Sequence, residues 1–442
     1  MSKKIVGIII GVVVVLTVGT GVAIYGFLEG WFDGSSGVSS AQPITASASF
    51  DPNSSADTDA FPPINRPAPD GKYNNWISLA KTYQKTYPDD IGLGYIVDAM
   101  ENFSVEESLS FTSTITLILK NGWKESNPSL EGYLQKQEPI FLSLRKAADT
   151  PGTVIPPIQS IQWPIPKMLY LQILSKLMVV DALKQDAAGN KKEAITRVMQ
   201  GVRVNMIFSN SPGTHVIQYL VGMAGATISL DGMAMILHSS GGTPEQFQAA
   251  YEELKAVDDK FISPANPIRS EGKLFLDMAK DLSKEYDSVR KYKDLPGWEW
   301  ISKASENIPS FESTYRGFWN EIKPELYKPY WEHPGLQIDS TIKAVLMGYQ
   351  DINTDAIPDY LNTYFRYYNF QAKLRIMEAV CLMKANQPEE AKKIIDPYTG
   401  KPLIVMPEKI YSLGPDMLDQ GGNQEYDFKK GITSNGDIIF KL

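Results

Sequence analysis

KKEAITRVMQGVRVNM, residues 191–206, decides the fold. Ile195, Val198, Met199, Val202 and Met206 fall on one face at the i, i+3, i+4, i+7 spacing of an amphipathic helix. Upstream, Gly189-Asn190 separates this run from another periodic one and reads as the turn of a helical hairpin. Downstream, Ser211-Pro212 reads as the start of the next helix and Gly241-Gly242 as its end. Inside that helix Val216, Met223, Leu230 and Leu237 recur every seven residues, with Tyr219, Leu220 and Ala226 beside them.

The stretch 216–237 is apolar enough to suggest a membrane span. It contains Gln218 and Asp231, and a carboxylate inside a bilayer is costly. A central helix buried on all sides has the same composition, and that is the expectation here. Helical periodicity continues from about Trp76 to Ile395. Ala182 to Glu193-Ala194 is echoed 197 residues later by Ala379 to Glu390-Ala391, each a small residue, a turn and then Glu-Ala. That is the texture of tetratricopeptide hairpins, whose alanines permit close helix crossing, but no tandem period of 34 residues connects the copies. After Asp396-Pro397, Gly, Pro and Asp cluster around 403–406, 409–411 and 437–440, which read as short strands.

Outward at the N-terminus, residues 5–28 carry no charge, long enough for a helix across a bilayer. Lys3 and Lys4 precede the run and the next basic residue is Arg66, so the positive-inside rule keeps the N-terminus cytoplasmic and exports the rest. The apolar core is too long for a cleaved signal peptide, and the small-residue site Ala46-Ser47-Ala48 lies far beyond it, which favours an uncleaved signal anchor. The fold class expected is mainly α: an irregular bundle of helical hairpins, tetratricopeptide-like in texture, with a small C-terminal β module and an N-terminal transmembrane helix. The expected divisions are a cytoplasmic tip and anchor over 1–33, a disordered Pro/Ser-rich linker over 34–72, a helical domain over 73–395 and a β tail over 396–442.

Of 442 residues, 43% are hydrophobic and 21% charged, a globular balance. Setting aside Lys3 and Lys4 leaves 41 basic against 51 acidic residues, a net −10 that speaks against nucleic acid as a partner. The one cysteine, Cys381, sits in an apolar helical pattern and reads as a buried small side chain.

Catalytic patterns are sparse. His215, His238 and His333 fall in no paired metal spacing. Ser78-Leu-Ala-Lys81 and Ser143-Leu-Arg-Lys146 match S-x-x-K without its K-T-G companion, and both read as helix surface. Asp351-Ile-Asn353-Thr-Asp355 begins like a calcium loop but has Ala356 for the glycine and Asn362 for the closing acid. Asp57 and Asp59 read as solvated linker charge. Trp298, Trp300, Trp319 and Trp331 lie among Tyr315, Tyr327 and Tyr330, with Glu299, Glu321 and Glu332 interspersed. Two readings of this segment are a carbohydrate site with a carboxylate pair and a helix-poor packing cluster around Pro324, Pro329 and Pro334. Packing is favoured, since no spacing here places two carboxylates.

The tail carries a resemblance. Asp396-Pro397-Tyr398-Thr399-Gly400-Lys401-Pro402-Leu403, then Tyr411-Ser412-Leu413-Gly414-Pro415-Asp416, Gly421-Gly422 and Asp437-Ile438 resemble, in order, the C-terminal segment of the major pseudopilins of type II secretion. The tail is more similar still to that of a group of uncharacterised bacterial proteins with an N-terminal anchor and a long helical domain. The resemblance implies short strands and a calcium-binding loop, with Asp416 and Asp437 at its acidic positions and Asp419 and Asp427 as nearby acids. The stretch 423–436 is longer than the pseudopilin loop, and the prepilin cleavage site is absent. Calcium binding and simple turn capping both remain open for these acids.

The function expected is a membrane-tethered, extracytoplasmic helical scaffold or interaction protein at the bacterial inner membrane. Its partners would be the membrane, through the N-terminal helix, and an envelope protein. The alternative is an envelope carbohydrate-active hydrolase using 298–331. A third reading, from the tail alone, is an accessory component of a secretion or pilus-like assembly.

Overall fold

The computed structural model describes residues 66–69, 71–159, 163–284, 308–332, 360–427 and 434–442. The expected anchor, nearly all of the linker, Trp298, Glu299, Trp300, His333 and the 351–355 acids lie outside the described residues. Thirteen α-helices and one three-stranded sheet lie among them, so the chain is mainly helical with a small β module near its C-terminus.

The helices are α1 (Trp76–Thr86), α2 (Ile91–Asn102), α3 (Val105–Leu109), α4 (Thr112–Asn121), α5 (Pro128–Asp149), α6 (Met168–Ala187), α7 (Lys191–Asn210) and α8 (Val216–His238). They continue as α9 (Pro244–Asp258), α10 (Ala265–Lys284), α11 (Ile308–Leu326), α12 (Tyr360–Lys384) and α13 (Pro388–Ala391). The 191–206 pattern forms α7, and Ile195, Val198, Met199, Val202 and Met206 are all buried. Its neighbour α8 is the core: it packs on α6, α7 and α12 and is mostly buried. Gln218, buried, donates to the Phe208 carbonyl at 3.1 Å. Asp231 lies at the exposed edge, 2.8 Å from the Lys373 ammonium of α12. The helix starts at Val216, later than the Ser211-Pro212 signal suggests. Thr214 closes a turn onto Ser211 (3.1 Å), and the buried Glu271 carboxylate accepts the Val216 N–H at 2.9 Å, so tertiary contact rather than a local cap sets the start. Burial pushes the Glu271 carboxyl up to about 7.

The internal echo is a structural one. Ala182, Ala194, Ala379 and Ala391 are all fully buried. In the first hairpin the N–H groups of Ala188, Gly189 and Asn190 donate to the carbonyls of Lys184, Asp186 and Gln185. In the second, those of Ala385, Asn386 and Gln387 donate to Cys381, Met383 and Leu382, the same pattern at the same offset. Gly189 (φ 80°) and Asn386 (φ 61°) take the left-handed conformation that closes a helix this way. The copies then diverge, since α7 has 20 residues and α13 has four.

The tail forms β1 (Ile404–Val405), β2 (Lys409–Ser412) and β3 (Ile438–Lys441), antiparallel in the order β1-β2-β3. The sheet packs on α12, with Ile410 and Phe440 in the common core. The helix-poor reading of the aromatic segment is corrected: α11 runs through it with Pro324 in its last turn, because Phe311, Tyr315, Phe318, Trp319, Ile322 and Leu326 make a continuous buried face. Residues 66–69, assigned to the linker, pack on α1 instead, with Ala68 in the core.

One expectation follows for the core helix. A chain beginning at Arg66 is expected to stay in solution without detergent and to be strongly helical by circular dichroism. Partition of that chain into a detergent phase would put α8 back in the membrane.

Candidate functional site

The C-terminal module is built around Asp396. This buried carboxylate accepts from the Tyr398 N–H (3.0 Å), the Ser412 hydroxyl (2.8 Å), the Leu413 N–H (3.1 Å) and the Thr399 hydroxyl (3.3 Å). Burial raises its pKa, and the four bonds oppose the rise. One side chain thus ties the 396–400 turn to the end of β2 and aims the next loop. That loop closes on the 435–437 turn: a Cβ on Gly414 would lie 2.4 Å from the Gly436 carbonyl oxygen, so only glycine permits the approach.

The approach gathers three of the four acids singled out by sequence. Asp437 has no exposed surface; its Oδ2 accepts the Gly422 N–H at 2.8 Å, and its Oδ1 is buried without a hydrogen-bond partner. Burial, joined by the charges of Asp419 and Asp416, raises its pKa to about 6, while the N–H groups of Gly422 and Gln420 pull the other way. Asp419 accepts from the Tyr411 hydroxyl (3.1 Å) and the Gly421 N–H (2.7 Å). Asp416 accepts from the Leu418 N–H (3.1 Å) and the Gln420 amide (2.8 Å). Asp427 is placed elsewhere: its N–H donates to Ser434 Oγ at 2.7 Å and its charge acts on Tyr426. Lys409 places its ammonium on the Gly421 and Gly422 carbonyls, at 2.6 and 3.2 Å, and fixes the loop's far side.

A buried carboxylate oxygen without a partner, on which the charges of Asp419 and Asp416 act, has the donor chemistry that a hard divalent cation takes. Among the described residues no group of three or more His, Cys, Asp or Glu side chains is placed to hold a metal ion, the three aspartates of this loop included.

The aromatic segment holds this loop. The Tyr330 hydroxyl donates to the Pro415 carbonyl at 2.8 Å, and the Tyr330 ring meets Tyr398 edge-on with centroids 4.8 Å apart. The Trp331 indole lies over Gly400, where an added Cβ would stand 3.0 Å from the ring. Trp319 is 1% exposed, with its indole against Gly272, so it offers no face to a sugar. Sequence reasoning missed Asp396 as the tie and Tyr330 as the clamp. Asp396 opens the quoted tail motif, whereas nothing local to Tyr330 announces its partner 85 residues away.

The S-x-x-K matches are surface hydrogen-bonding positions. Ser78 closes the capping box of α1 with Asn75, and Lys81 pairs with Glu101 at 2.8 Å. Ser143 donates to Asp98 at 2.7 Å, and Lys146 lies over the Tyr95 ring. His215 is buried at the start of α8, its ring nitrogens have no hydrogen-bond partner, and burial lowers its pKa to about 4, which keeps it neutral. His238 meets the Phe440 ring edge-on at 5.6 Å. No family model, no curated protein and no solved structure matches the chain.

Proposed function

We propose that the chain is a non-enzymatic scaffold of the cell envelope: a helical domain tethered outside the cytoplasm by its N-terminal apolar run and finished by a cation-loaded C-terminal module. The observation that carries the reading is the use of α8. This apolar helix is occupied on its faces by α6, α7 and α12, which leaves residues 5–28 as the segment suited to a bilayer. Two polar clusters inside the helical domain are likewise committed to one another. Asn205 donates to Ser175 (2.9 Å) and to the Gly201 carbonyl (2.8 Å), and Asp181 accepts from Arg145 (2.9 Å) and Arg197 (2.6 Å).

The ordered motifs of the tail and its antiparallel sheet favour, as a second reading, service in a secretion or pilus-like assembly. Calcium is the ion proposed for the loop on the same resemblance, with Asp416 and Asp437 as ligands and Asp419 beside them.

Protease added to spheroplasts, followed by detection of a C-terminal tag, tests the placement. Digestion of the domain with the N-terminal run retained in the membrane fraction is expected. Full protection in intact spheroplasts would overturn the proposal. Cross-linking in cells addresses the scaffold role: a discrete membrane-associated adduct above the chain's 49.2 kDa is expected, and a chain that stays at its own mass argues against it.

A further inference from the structure

The seam between α9 and α12 is held by polar rungs at both of its ends. At one end Gln387 donates to the Gln248 side chain at 2.8 Å, and the Lys384 ammonium sits 5.6 Å from the centre of the Phe247 ring. At the other, Asp258 accepts from the Gln371 amide (3.3 Å) and from Arg375 Nε (2.9 Å). A second nitrogen of the same guanidinium donates to the Ile395 carbonyl at 3.0 Å, so Arg375 joins α9, α12 and the approach to the C-terminal module. Glu378 lies between these ends. It is 4% exposed, and its Oε1 is buried without a hydrogen-bond partner. Gln371, Arg375 and Glu378 share one face of α12, and residues three apart on a helix are within each other's reach.

A buried carboxyl group without a cation of its own is held in place by its proton. Burial, and after it the Asp258 charge, pushes the Glu378 carboxyl up to about 8, while Arg375 and Lys255 pull it down. On α9, Lys255 is bound to Asp259 at the surface (2.9 Å), and the half-buried Tyr251 is pushed up by burial and by Glu378 itself. On α12, burial and Glu378 push the Cys381 thiol up, against Lys384. The charges on the other elements packed against α12 are committed elsewhere. Asp231 of α8 is bound to Lys373, and Glu389 and Glu390 of α13 to Lys392 and Lys393. Lys409 of β2 donates to the Gly421 and Gly422 carbonyls, Tyr411 to Asp419, and Lys441 of β3 is exposed. The one arginine on the Glu378 face of α12 is thus already shared by Asp258 and Ile395.

We propose that Glu378, Arg375 and Asp258 form a proton-operated latch that joins α9 and the approach to the C-terminal module to α12. In the closed form the protonated Glu378 leaves Arg375 to Asp258 and to the Ile395 carbonyl. Loss of the proton to solvent leaves a carboxylate that draws Arg375 along α12, takes it from both acceptors and frees the seam. Asp258, left without its cation, then faces Glu378 with like charge and adds to the separation. The sign follows from linkage. The folded pKa of Glu378 lies above its ordinary value of 4.5, so the closed form is favoured at low pH. It loses about a factor of ten per pH unit as pH rises from 4.5 toward 8, and little more beyond. Acid closes the latch and alkali loosens it.

Cys381, buried one turn beyond Glu378 and the one cysteine of the chain, reports on the seam. Its labelling by a maleimide is followed in full-length protein from about pH 6 to 9, in wild type and in Glu378→Gln, which keeps the shape of the protonated acid. Taking the ratio of the two rates at each pH removes the ordinary ionisation of the thiol and the titration of Glu271 and Asp437, which both chains retain. The ratio is expected to rise about fiftyfold between pH 6 and 8 and by about a further twofold to pH 9. Glu378→Met, of similar volume and uncharged, is a second pH-blind variant and is expected to match Glu378→Gln. Circular dichroism confirms the fold of each. Amide exchange at Leu403, whose N–H donates to the Ile394 carbonyl, reads the far end of the latch and is expected to be faster in wild type than in the variants at pH 8. A ratio that stays flat with pH against a folded neutral variant overturns the proposal. So does labelling with the urea dependence of global unfolding, since the seam would then not open by itself. Equal exchange at Leu403 overturns it too, because Arg375 would have stayed on Ile395.

Discussion

Gly222→Ala is expected to destabilise the protein by about 3 kcal/mol, although alanine is the better helix former. The added Cβ would lie 2.7 Å from the Asn205 carbonyl oxygen and 2.9 Å from the Ser209 nitrogen, both backbone atoms of α7. Neither can turn aside as a side chain can, so α7 and α8 must separate along their whole contact. Close packing there also seats the Asn205–Ser175 pair, and loosening it exposes buried polar groups to partial loss of their bonds, at roughly 1–3 kcal/mol each. The control is Gly132→Ala in the exposed part of α5, where an added Cβ meets nothing within 4 Å. That change is expected to stabilise by roughly 0.5–1 kcal/mol from propensity alone. Denaturant midpoints of the two variants should move in opposite directions. Movement in the same direction would mean that the α7–α8 approach is not the tight contact described.

The same helix shows what could be read before the structure. Val216, Met223, Leu230 and Leu237 announced a helix and their spacing announced burial, because apolar side chains at a helical period have one physical use. The glycines between them carry no such signal. Their role depends on which backbone crosses at Gly222, and that is a tertiary fact. The hairpin turns at Gly189 and Asn386 were legible for the opposite reason: a left-handed closure is local, and Gly and Asn are the residues that tolerate it. The start of α8 was misread at Ser211-Pro212 because Glu271, 55 residues away, supplies the cap. In the tail the acids and glycines were visible as a motif, but the selection of Asp437, Asp416 and Asp419 over Asp427 follows from the Gly414–Gly436 approach. Tyr83, which bonds to the Arg66 carbonyl, escaped notice because tyrosine in an amphipathic helix looks like ordinary core. The linker boundary drawn at 72 treated Pro67 and Pro69 as spacer, whereas the segment packs on α1 through bonds to residues that lie apart from it in sequence.

Calcium in excess is expected to stabilise the folded chain, and Asp437→Asn is expected to abolish the response. The buried Oδ1 of Asp437 has no hydrogen-bond partner, and the charges of Asp419 and Asp416 act against its carboxylate. A divalent cation that binds only the folded loop offsets that repulsion and stabilises by mass action, by about 2.7 kcal/mol at a hundredfold excess over its Kd. The pH dependence has a definite sign. The folded pKa of Asp437, about 6, lies above its ordinary value of 3.8. The folded state therefore holds a proton that the unfolded state has lost, and without calcium this group's contribution to stability falls as pH rises from about 4 to 6. Calcium competes with that proton, so its stabilisation should be full above pH 6 and vanish toward pH 4. Asp437→Asn removes the charge but keeps an acceptor for the Gly422 N–H. In chelator at pH 7 it should melt above wild type, and calcium should leave it unmoved. Asp416→Ala should also lose the calcium response, while Asp427→Ala should keep it. Thermal unfolding with calcium and with chelator at pH 4.5 and 7.5 distinguishes these outcomes. A wild-type midpoint indifferent to calcium at pH 7.5, with no heat of binding by calorimetry, would make the three aspartates turn-forming residues and nothing more.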